Sequence, residues 1–239
     1  MNIALLTAAG SGTRMHQDIP KQFIHIDNKP VIIHTMEAFQ RHPGIDEIIV
    51  VTIESWTDVL WAYAKQFNIT KLKWVVPGGE TGQESIRNGL NTLEKELSLN
   101  DIVMVHDGNR PLISSEIISD SLASFSKYGS AVAVIPCTEV VFESDDGVSS
   151  CVSTEREKLF RTQTPHTYTF GDLLNAHIEA EKRGIKNTAA SCMLMKELGK
   201  TTYFSRGSEE NIKITTLDDL KIFKALLHTK QDSWIKNLG

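Results

Sequence analysis

The sequence predicts an α/β fold in which helices flank a mainly parallel β-sheet. Short apolar runs, several of them rich in β-branched residues, alternate along the chain with segments whose apolar residues recur at helical spacing. Strands separated by helices in this way form parallel sheets through right-handed crossovers. Ligands of such sheets bind beyond the carboxyl ends of the strands, so we expect functional residues in the loops that follow the strands.

The predicted elements follow one another regularly as far as residue 135. Strand-like runs occupy residues 2–7, 48–53, 72–76, 102–105 and 130–135. Helical spacing of apolar residues predicts helices over residues 55–67, 84–97 and 115–127.

The alternation of strands and helices ends at Pro136. Residues 137–161 have no helical period, contain several β-branched residues and include Asp145-Asp146-Gly147, a turn signal. We interpret this segment as a β-hairpin arm that leaves the main sheet. Beyond the arm, the patterns predict helices over 170–183 and 189–198, a strand over 201–205, and a final helix capped by Thr216.

The arm has no core of its own, since an isolated hairpin is marginal at best in water. Val140, Val141 and Phe142 are three consecutive apolar residues, so something must cover at least one face of their strand. A partner chain would supply that cover in a two-fold homodimer. The alternative is a surface hairpin or a flap within one chain.

Length, composition and charge limit the classes of protein. The 239 residues fit one large domain, 1–239, with residues 137–161 as its dimerisation arm. A net charge of −5 argues against a nucleic-acid-binding surface. Three scattered cysteines form no zinc or disulfide pattern and are typical of a reducing, cytoplasmic setting. The sequence contains no recognisable signal peptide or membrane span, so we expect no membrane association.

The first strand ends in residues no larger than serine. They are Ala8, Ala9, Gly10, Ser11 and Gly12. Such a turn brings backbone amides close to a ligand, and Arg14 and Lys21 follow it. We interpret the segment as a triphosphate site. A Gly-x-Gly pair alone is weak evidence, and a tight turn with two solvated cations is the alternative.

Two further strand ends carry candidate ligand contacts. Pro77-Gly78-Gly79-Glu80 precedes Ser85, which by spacing alone is a helix-start residue. Asp107 ends the fourth strand beside the phosphate site and suits a Mg²⁺ ligand, because Mg²⁺ prefers one or two carboxylates completed by phosphate oxygens. Arg110 suits a phosphate, or simply pairs with Asp107. We expect His106 to be structural.

Lys213 lies between apolar residues in Asn211-Ile212-Lys213-Ile214-Thr215, which we interpret as a strand. An unpaired ammonium is costly to bury, so this lysine should meet phosphate. The alternative is an edge lysine whose charge reaches solvent.

Five motifs together resemble the cytidylyltransferases that act on sugar-alcohol phosphates. In chain order they are A-A-G-x-G-x-R-M with P-K-Q, P-G-G-E, H-D-x-x-R-P, Q-T-P-H and N-I-K-I-T. The resemblance covers residues 8–220 and implies a Rossmann-like three-layer sandwich with a protruding β-arm. It implies a homodimer that uses CTP, a polyol phosphate and Mg²⁺.

The resemblance also assigns roles. Arg14, Lys21 and Lys213 correspond to catalytic cations. Contacts to CTP are implied for Ala8, Ala9, Gly10, Gly12, Gly79, Glu80, Ser85 and Asp107. Acceptor contacts are implied for Arg110, Arg156 and Thr164, and Asp107 corresponds to the metal ligand.

The chain departs from the family pattern at three places. Gly82 stands where an arginine is common, Glu139-Val140 where Asp-Thr is common, and Ala189 and Ala190 remove an acidic residue. Ribitol 5-phosphate or a related pentitol phosphate is the favoured acceptor, and methylerythritol 4-phosphate is the alternative. A non-catalytic nucleotide-binding subunit and a transferase using another NTP remain open.

Overall fold

The computed structural model describes residues 1–10 and 19–229. Within them, the main sheet has seven strands: β1 (Asn2–Ala8), β4 (Glu47–Thr52), β5 (Leu72–Pro77), β6 (Ile102–Asp107), β7 (Ala131–Pro136), β10 (Phe160–Thr169) and β11 (Phe204–Arg206). They lie side by side in the order β11-β7-β10-β6-β1-β4-β5. All neighbouring pairs are parallel except the two formed by β10. The predicted mainly parallel sheet is therefore confirmed.

Helices cover both faces of the sheet, as predicted. They are α1 (Val31–Arg41), α2 (Thr57–Gln66), α3 (Gly82–Leu93), α4 (Ser115–Tyr128), α5 (Phe170–Arg183), α6 (Ser191–Glu197) and α7 (Leu217–Thr229). Alternate residues of β1 face opposite layers: Ile3 and Leu5 pack with α3, α5 and α6, whereas Ala4 and Leu6 pack with α1, α2 and α4. The continuous apolar character of β1 follows from this burial on both faces.

Side chains and a glycine cap the ends of α5 and α7, including the predicted cap at Thr216. Thr169 accepts a hydrogen bond from the Asp172 amide at the start of α5, and Gly184 ends that helix with φ of 69°. At the start of α7, the Thr216 hydroxyl accepts from the Asp219 amide while Asp219 accepts from the Thr216 amide. No described helix is both long and apolar enough to cross a bilayer.

The predicted hairpin arm is present but shorter than expected. Its strands are β8 (Val141–Glu143) and β9 (Val152–Thr154), which pair antiparallel. Asp146 makes the turn, because its Oδ1 accepts from the amides of Val148 and Ser149 at 2.9 Å. Residues 160 and 161, which we assigned to the arm, belong instead to β10.

The sequence interpretation gave no element to β10 or to α1. β10 enters the sheet between β6 and β7, antiparallel to both. Its polar run Arg161-Thr162-Gln163-Thr164 lacks the apolar signal of a central strand. The register shifts between Thr162 and His166, and this irregularity interrupts the ladder beside the end of β6. A two-stranded hairpin, β2 (His25–Ile26) with β3 (Lys29–Pro30), precedes α1.

Candidate active site

A cavity of about 650 Å³ opens at the carboxyl ends of β1, β5 and β6, where the topology of the sheet predicts a ligand. Its lining includes Ala8, Ala9 and Gly10 at the end of β1, and Lys21 from the 3-10 turn Lys21–Phe23. The strand end is held by Gln22, whose buried side-chain amide donates to the Ala8 carbonyl. Gly12 and Arg14, two further predicted contacts, lie outside the described residues.

The turn after β5 forms a second wall of the cavity. Gly79, Glu80 and Ser85 all line it. The Ser85 hydroxyl accepts from the Gly79 amide at 3.1 Å and donates to the Thr81 carbonyl at 2.9 Å, so it holds the turn in shape. A Cβ built on Gly78 would lie 2.2 Å from the Cβ of Ala9, which shows how closely the first two walls meet.

Asp107 lies at the centre of a cationic cluster at the end of β6. Its Oδ2 accepts from Arg110 Nε and its Oδ1 from Lys213 Nζ, both at 2.9 Å. Burial alone would raise the pKa of this carboxyl group, but Lys213 and Arg110 outweigh burial and hold it well below its ordinary value. The pairing of Asp107 with Arg110 that we considered does occur, and Lys213 joins it.

Lys213 does not lie in a strand, contrary to our interpretation. Residues 212–215 are irregular, and they are held by the loop after β6 rather than by a sheet. Arg110 Nη1 donates to the Asn211 carbonyl at 2.6 Å, and the Asn109 side-chain amide donates to the Ile214 carbonyl. Ile214 is buried, whereas the Lys213 side chain reaches the cavity and solvent.

Thr164 lines the cavity, but its hydroxyl is engaged inside the protein. It accepts from the Asp107 amide at 3.0 Å and lies 2.9 Å from His106 Nδ1. Burial lowers the pKa of His106 to about 3, so its ring is neutral at physiological pH. With His106 Nε2 donating to the Arg110 carbonyl, Nδ1 accepts from Thr164. Thr164 and His106 thus fix the loop that carries Asp107 and Arg110.

Arg156 is not brought to the cavity of its own chain. It lies in a 3-10 turn, Arg156–Lys158, and its guanidinium contacts Glu157 at 3.1 Å and the Thr138 carbonyl at 3.4 Å. The side chain is about half exposed. Of the acceptor contacts implied by the resemblance, Arg110 and Thr164 line the cavity and Arg156 does not.

Sequence reasoning missed the wall formed by α5 and α6. His177 and Ser191 line the cavity there, and His166 lines it from β10. Burial lowers the pKa of His166 and of His177 to about 4. His166 could have been suspected from the Q-T-P-H string. His177 and Ser191 lie in helical segments where nothing in the pattern sets them apart from residues that only pack.

Comparison with known proteins agrees with the geometry. The IspD family model, described as 2-C-methyl-D-erythritol 4-phosphate cytidylyltransferase, matches residues 2–229. A ribitol-5-phosphate cytidylyltransferase of Lacticaseibacillus paracasei is 40% identical over 233 residues, which cover 97% of this chain and 100% of that protein. A 2-C-methyl-D-erythritol 4-phosphate cytidylyltransferase of Clostridium acetobutylicum is 41% identical, covering 95% of this chain and 97% of that protein.

Solved structures support the same fold. The 4-diphosphocytidyl-2C-methyl-D-erythritol synthase of Anaerococcus prevotii superposes with a TM-score of 0.81 at 24% identity, covering 95% of this chain and 96% of that one. The 2-C-methyl-D-erythritol 4-phosphate cytidylyltransferase of Francisella tularensis gives a TM-score of 0.77 at 26% identity, with coverage of 92% and 97%. The predicted fold class is therefore confirmed.

Proposed function

This chain belongs to the IspD family of cytidylyltransferases, and on that premise we propose that it transfers CMP from CTP to ribitol 5-phosphate or a related pentitol phosphate. The products are a CDP-polyol and pyrophosphate. The observation that carries the reaction type is a single cavity lined by the small-residue end of β1, by Lys21, and by Asp107 with its two paired cations, Arg110 and Lys213. Family membership favours an enzyme over the non-catalytic subunit that the sequence left open.

The choice of acceptor follows the curated relatives. Ribitol-5-phosphate cytidylyltransferases of three genera are 37–41% identical over nearly the full length of the chain. One observation supports methylerythritol phosphate as the alternative acceptor: the methylerythritol phosphate cytidylyltransferase of Clostridium acetobutylicum is also 41% identical to this chain.

The proposed reaction is an in-line displacement at the α-phosphorus of CTP. An oxygen of the acceptor's phosphate forms the new bond to that phosphorus, and the bond to the β-phosphate oxygen breaks, so pyrophosphate leaves. A phosphate dianion is already a nucleophile, so no general base is required. Catalysis then consists of positioning and charge stabilisation.

The cations of the cavity divide this work between them. Lys21, with Arg14, would stabilise the β- and γ-phosphates as the leaving group gains charge. Lys213 would leave Asp107 for the α-phosphoryl group, since its side chain is half exposed and reaches the cavity. Arg110 would hold the acceptor's phosphate while remaining anchored to the Asn211 carbonyl.

Asp107 fits the role of a magnesium ligand in its chemistry. No group of three or more metal-binding side chains occurs among residues 1–10 and 19–229. A single carboxylate completed by triphosphate oxygens is nevertheless a usual Mg²⁺ site. Bound there, Mg²⁺ would neutralise charge on the triphosphate. Asp107 would offer it the oxygen that Lys213 now occupies.

We propose that the arm forms the interface of a homodimer. Val140, Phe142, Val148 and Val152 are all more than half exposed in the isolated chain. A second copy of the chain would cover these side chains, as an apolar, edge-exposed hairpin requires. In that dimer Arg156, at the base of the arm, would contact the acceptor in the partner's cavity.

Phosphorus NMR of a reaction mixture tests the reaction type directly. We expect CTP, Mg²⁺ and ribitol 5-phosphate to yield the two resonances of a diphosphate diester together with that of pyrophosphate. Mixtures with ATP, GTP or UTP serve as controls for base preference. Formation of CMP and pyrophosphate without a diester would contradict the proposal, because the α-phosphoryl group would then pass to water.

A further inference from the structure

The cavity contains two buried polar side chains without hydrogen-bond partners. His177 of α5 is 2% exposed and Ser191 of α6 is 3% exposed, and both line the cavity. Within the described part of the chain, neither ring nitrogen of His177 has a hydrogen-bond partner, and the Ser191 hydroxyl has none either. We name this surface the α5–α6 wall, defined by His177, Thr188, Ala189, Ala190, Ser191 and Leu194.

Unpaired groups of this kind indicate a missing partner. Leaving a buried donor or acceptor unsatisfied costs about 1–3 kcal/mol, and most such groups in proteins are paired. Other unpaired hydroxyls in the described residues, Thr52, Tyr168 and Ser205, do not line this cavity. The α5–α6 wall differs from them because His177 and Ser191 both line a cavity that a ligand can enter.

The wall is neutral and fixed in place. Burial lowers the pKa of His177 to about 4, with the charge of Arg87 acting in the same direction, so the ring is neutral at physiological pH. A neutral imidazole offers one donor and one acceptor, and Ser191 offers both. Thr188 cannot contribute its donor, since its hydroxyl donates to Gln83 Oε1 at 2.9 Å. Gln83 in turn donates to the Ile185 carbonyl, which holds the loop on α3.

The chemistry of the two ends of the cavity matches the two ends of a polyol phosphate. One end carries the cations Lys21, Arg110 and Lys213, where we propose that the phosphates bind. The α5–α6 wall has no charge among its residues, and its small side chains Ala189 and Ala190 leave room. Its natural complement is an uncharged group that both donates and accepts hydrogen bonds, which describes a hydroxyl.

We propose that the α5–α6 wall binds the hydroxyl chain of the acceptor, and that His177 and Ser191 select the acceptor by the length of that chain. The inference rests on the proposed function, because it takes the acceptor to be a polyol phosphate. Both residues act by binding substrate hydroxyls remote from the phosphate, so they affect recognition of the acceptor rather than the displacement step.

Kinetics with a series of acceptors tests the proposal. We expect Ser191→Ala and His177→Leu each to raise KM for the five-carbon acceptor ribitol 5-phosphate about tenfold, which is the effect of one lost hydrogen bond. KM for glycerol phosphate, which has three carbons, and Kd for CTP should stay unchanged. His177→Gln, which keeps an uncharged donor and acceptor, should recover part of the loss. Ser205→Ala removes a buried unpaired hydroxyl away from the cavity and is the matched control.

Two outcomes of the kinetics would overturn the proposal. An equal loss for three- and five-carbon acceptors would show that the residues only maintain the fold. A rise in Kd for CTP, with KM for the acceptor unchanged, would assign the wall to the cytosine base.

An NMR titration separates failure of this inference from failure of the proposed function. Imidazole resonances of His177, assigned with His177→Gln, are followed as five-carbon and three-carbon polyol phosphates are added. A shift caused by the five-carbon compound alone supports the proposal even if the wild type turns over no polyol phosphate, which would refute only the reaction. Absence of any shift at saturating acceptor overturns the inference, whatever the activity.

Discussion

Lys21 shows how a single cation of the cavity can be tested. It follows the small-residue end of β1 and lines the cavity, where we propose that it stabilises the leaving pyrophosphate. We expect Lys21→Ala to lower kcat/KM by about 10²–10³, as a lost transition-state contact of roughly 2–4 kcal/mol does. Arg14→Ala should behave alike. Lys73→Ala, which changes an exposed lysine elsewhere, is the control. A near-normal kcat/KM in Lys21→Ala would contradict the proposed role and make Lys21 a solvated surface cation.

Lys213 makes a separate prediction, because it already has a partner in Asp107. Lys213→Met keeps the length of the side chain and removes its charge. We expect the variant to fold and to bind CTP but to lose kcat by a similar factor of about 10²–10³, since the charge acts as the α-phosphoryl group becomes more negative. Calorimetry with CTP and stopped assays measure the two effects. Lys221→Met on α7 is the control. A loss of thermal stability alone would make Lys213 structural.

His177 predicts a dependence of stability on pH. Its pKa is about 4 in the folded protein, whereas an unperturbed histidine has a pKa of 6.5, so the unfolded chain binds the proton more strongly. Its neutral form therefore favours folding fully above pH 6.5, and this contribution is lost as the pH falls toward 4. Between pH 7 and 5 we expect the free energy of unfolding of the wild type to fall by about 2 kcal/mol more than that of His177→Leu. Urea unfolding at both pH values measures it, and identical losses in the two proteins would contradict the assignment.

At the scale of elements, the sequence predicted what apolar periodicity encodes. The parallel strands β1, β4, β5, β6 and β7 each read as a buried apolar run, and α2, α3 and α4 read as amphipathic segments. β10 was missed because its first half is polar and is placed by pairing with β6 and β7 rather than by its own composition. Lys213 was assigned to a strand for a related reason: its apolar neighbours pack on α7, not in a sheet.

Most of the candidate site could be predicted because its residues follow predicted strands. Asp107 is the last residue of β6, Arg110 follows that strand, and Gly79 follows β5, so the parallel topology brings them together. Contacts among these residues could not be predicted. The occupation of the Thr164 hydroxyl by His106 and the Asp107 amide depends on the register of a strand that the sequence did not reveal.

Removal of the arm tests the proposed assembly separately from nucleotide binding. Its exposed apolar residues are the reason for proposing a homodimer. Replacing residues 140–155 with a short Gly-Ser bridge should give a monomer that keeps its affinity for CTP and loses acceptor turnover, because Arg156 can no longer reach a partner's cavity. Light scattering measures the mass. A wild-type protein that is monomeric and fully active at micromolar concentration would make the arm a flap within one chain.

For the whole molecule, the fold positions a cationic end and a neutral polar end in one cavity of about 650 Å³. The parallel strands supply the loops that we propose bind the nucleotide. β6, the loop after it and residues 211–214 supply Asp107, Arg110 and Lys213. Such a cavity suits two substrates that both carry phosphate but differ in the group attached to it, a nucleoside in the donor and a polyol in the acceptor. The identity of the acceptor is therefore the central claim about the molecule.

The most direct test of that claim is the ratio of kcat/KM for ribitol 5-phosphate to that for methylerythritol 4-phosphate, measured with CTP and Mg²⁺ on the full-length wild-type protein by pyrophosphate release. Our account predicts a ratio above about ten, because ribitol 5-phosphate carries one more hydroxyl, on a longer chain, than methylerythritol 4-phosphate, and one such contact is worth roughly tenfold. A ratio below one would contradict it and assign the chain to methylerythritol phosphate.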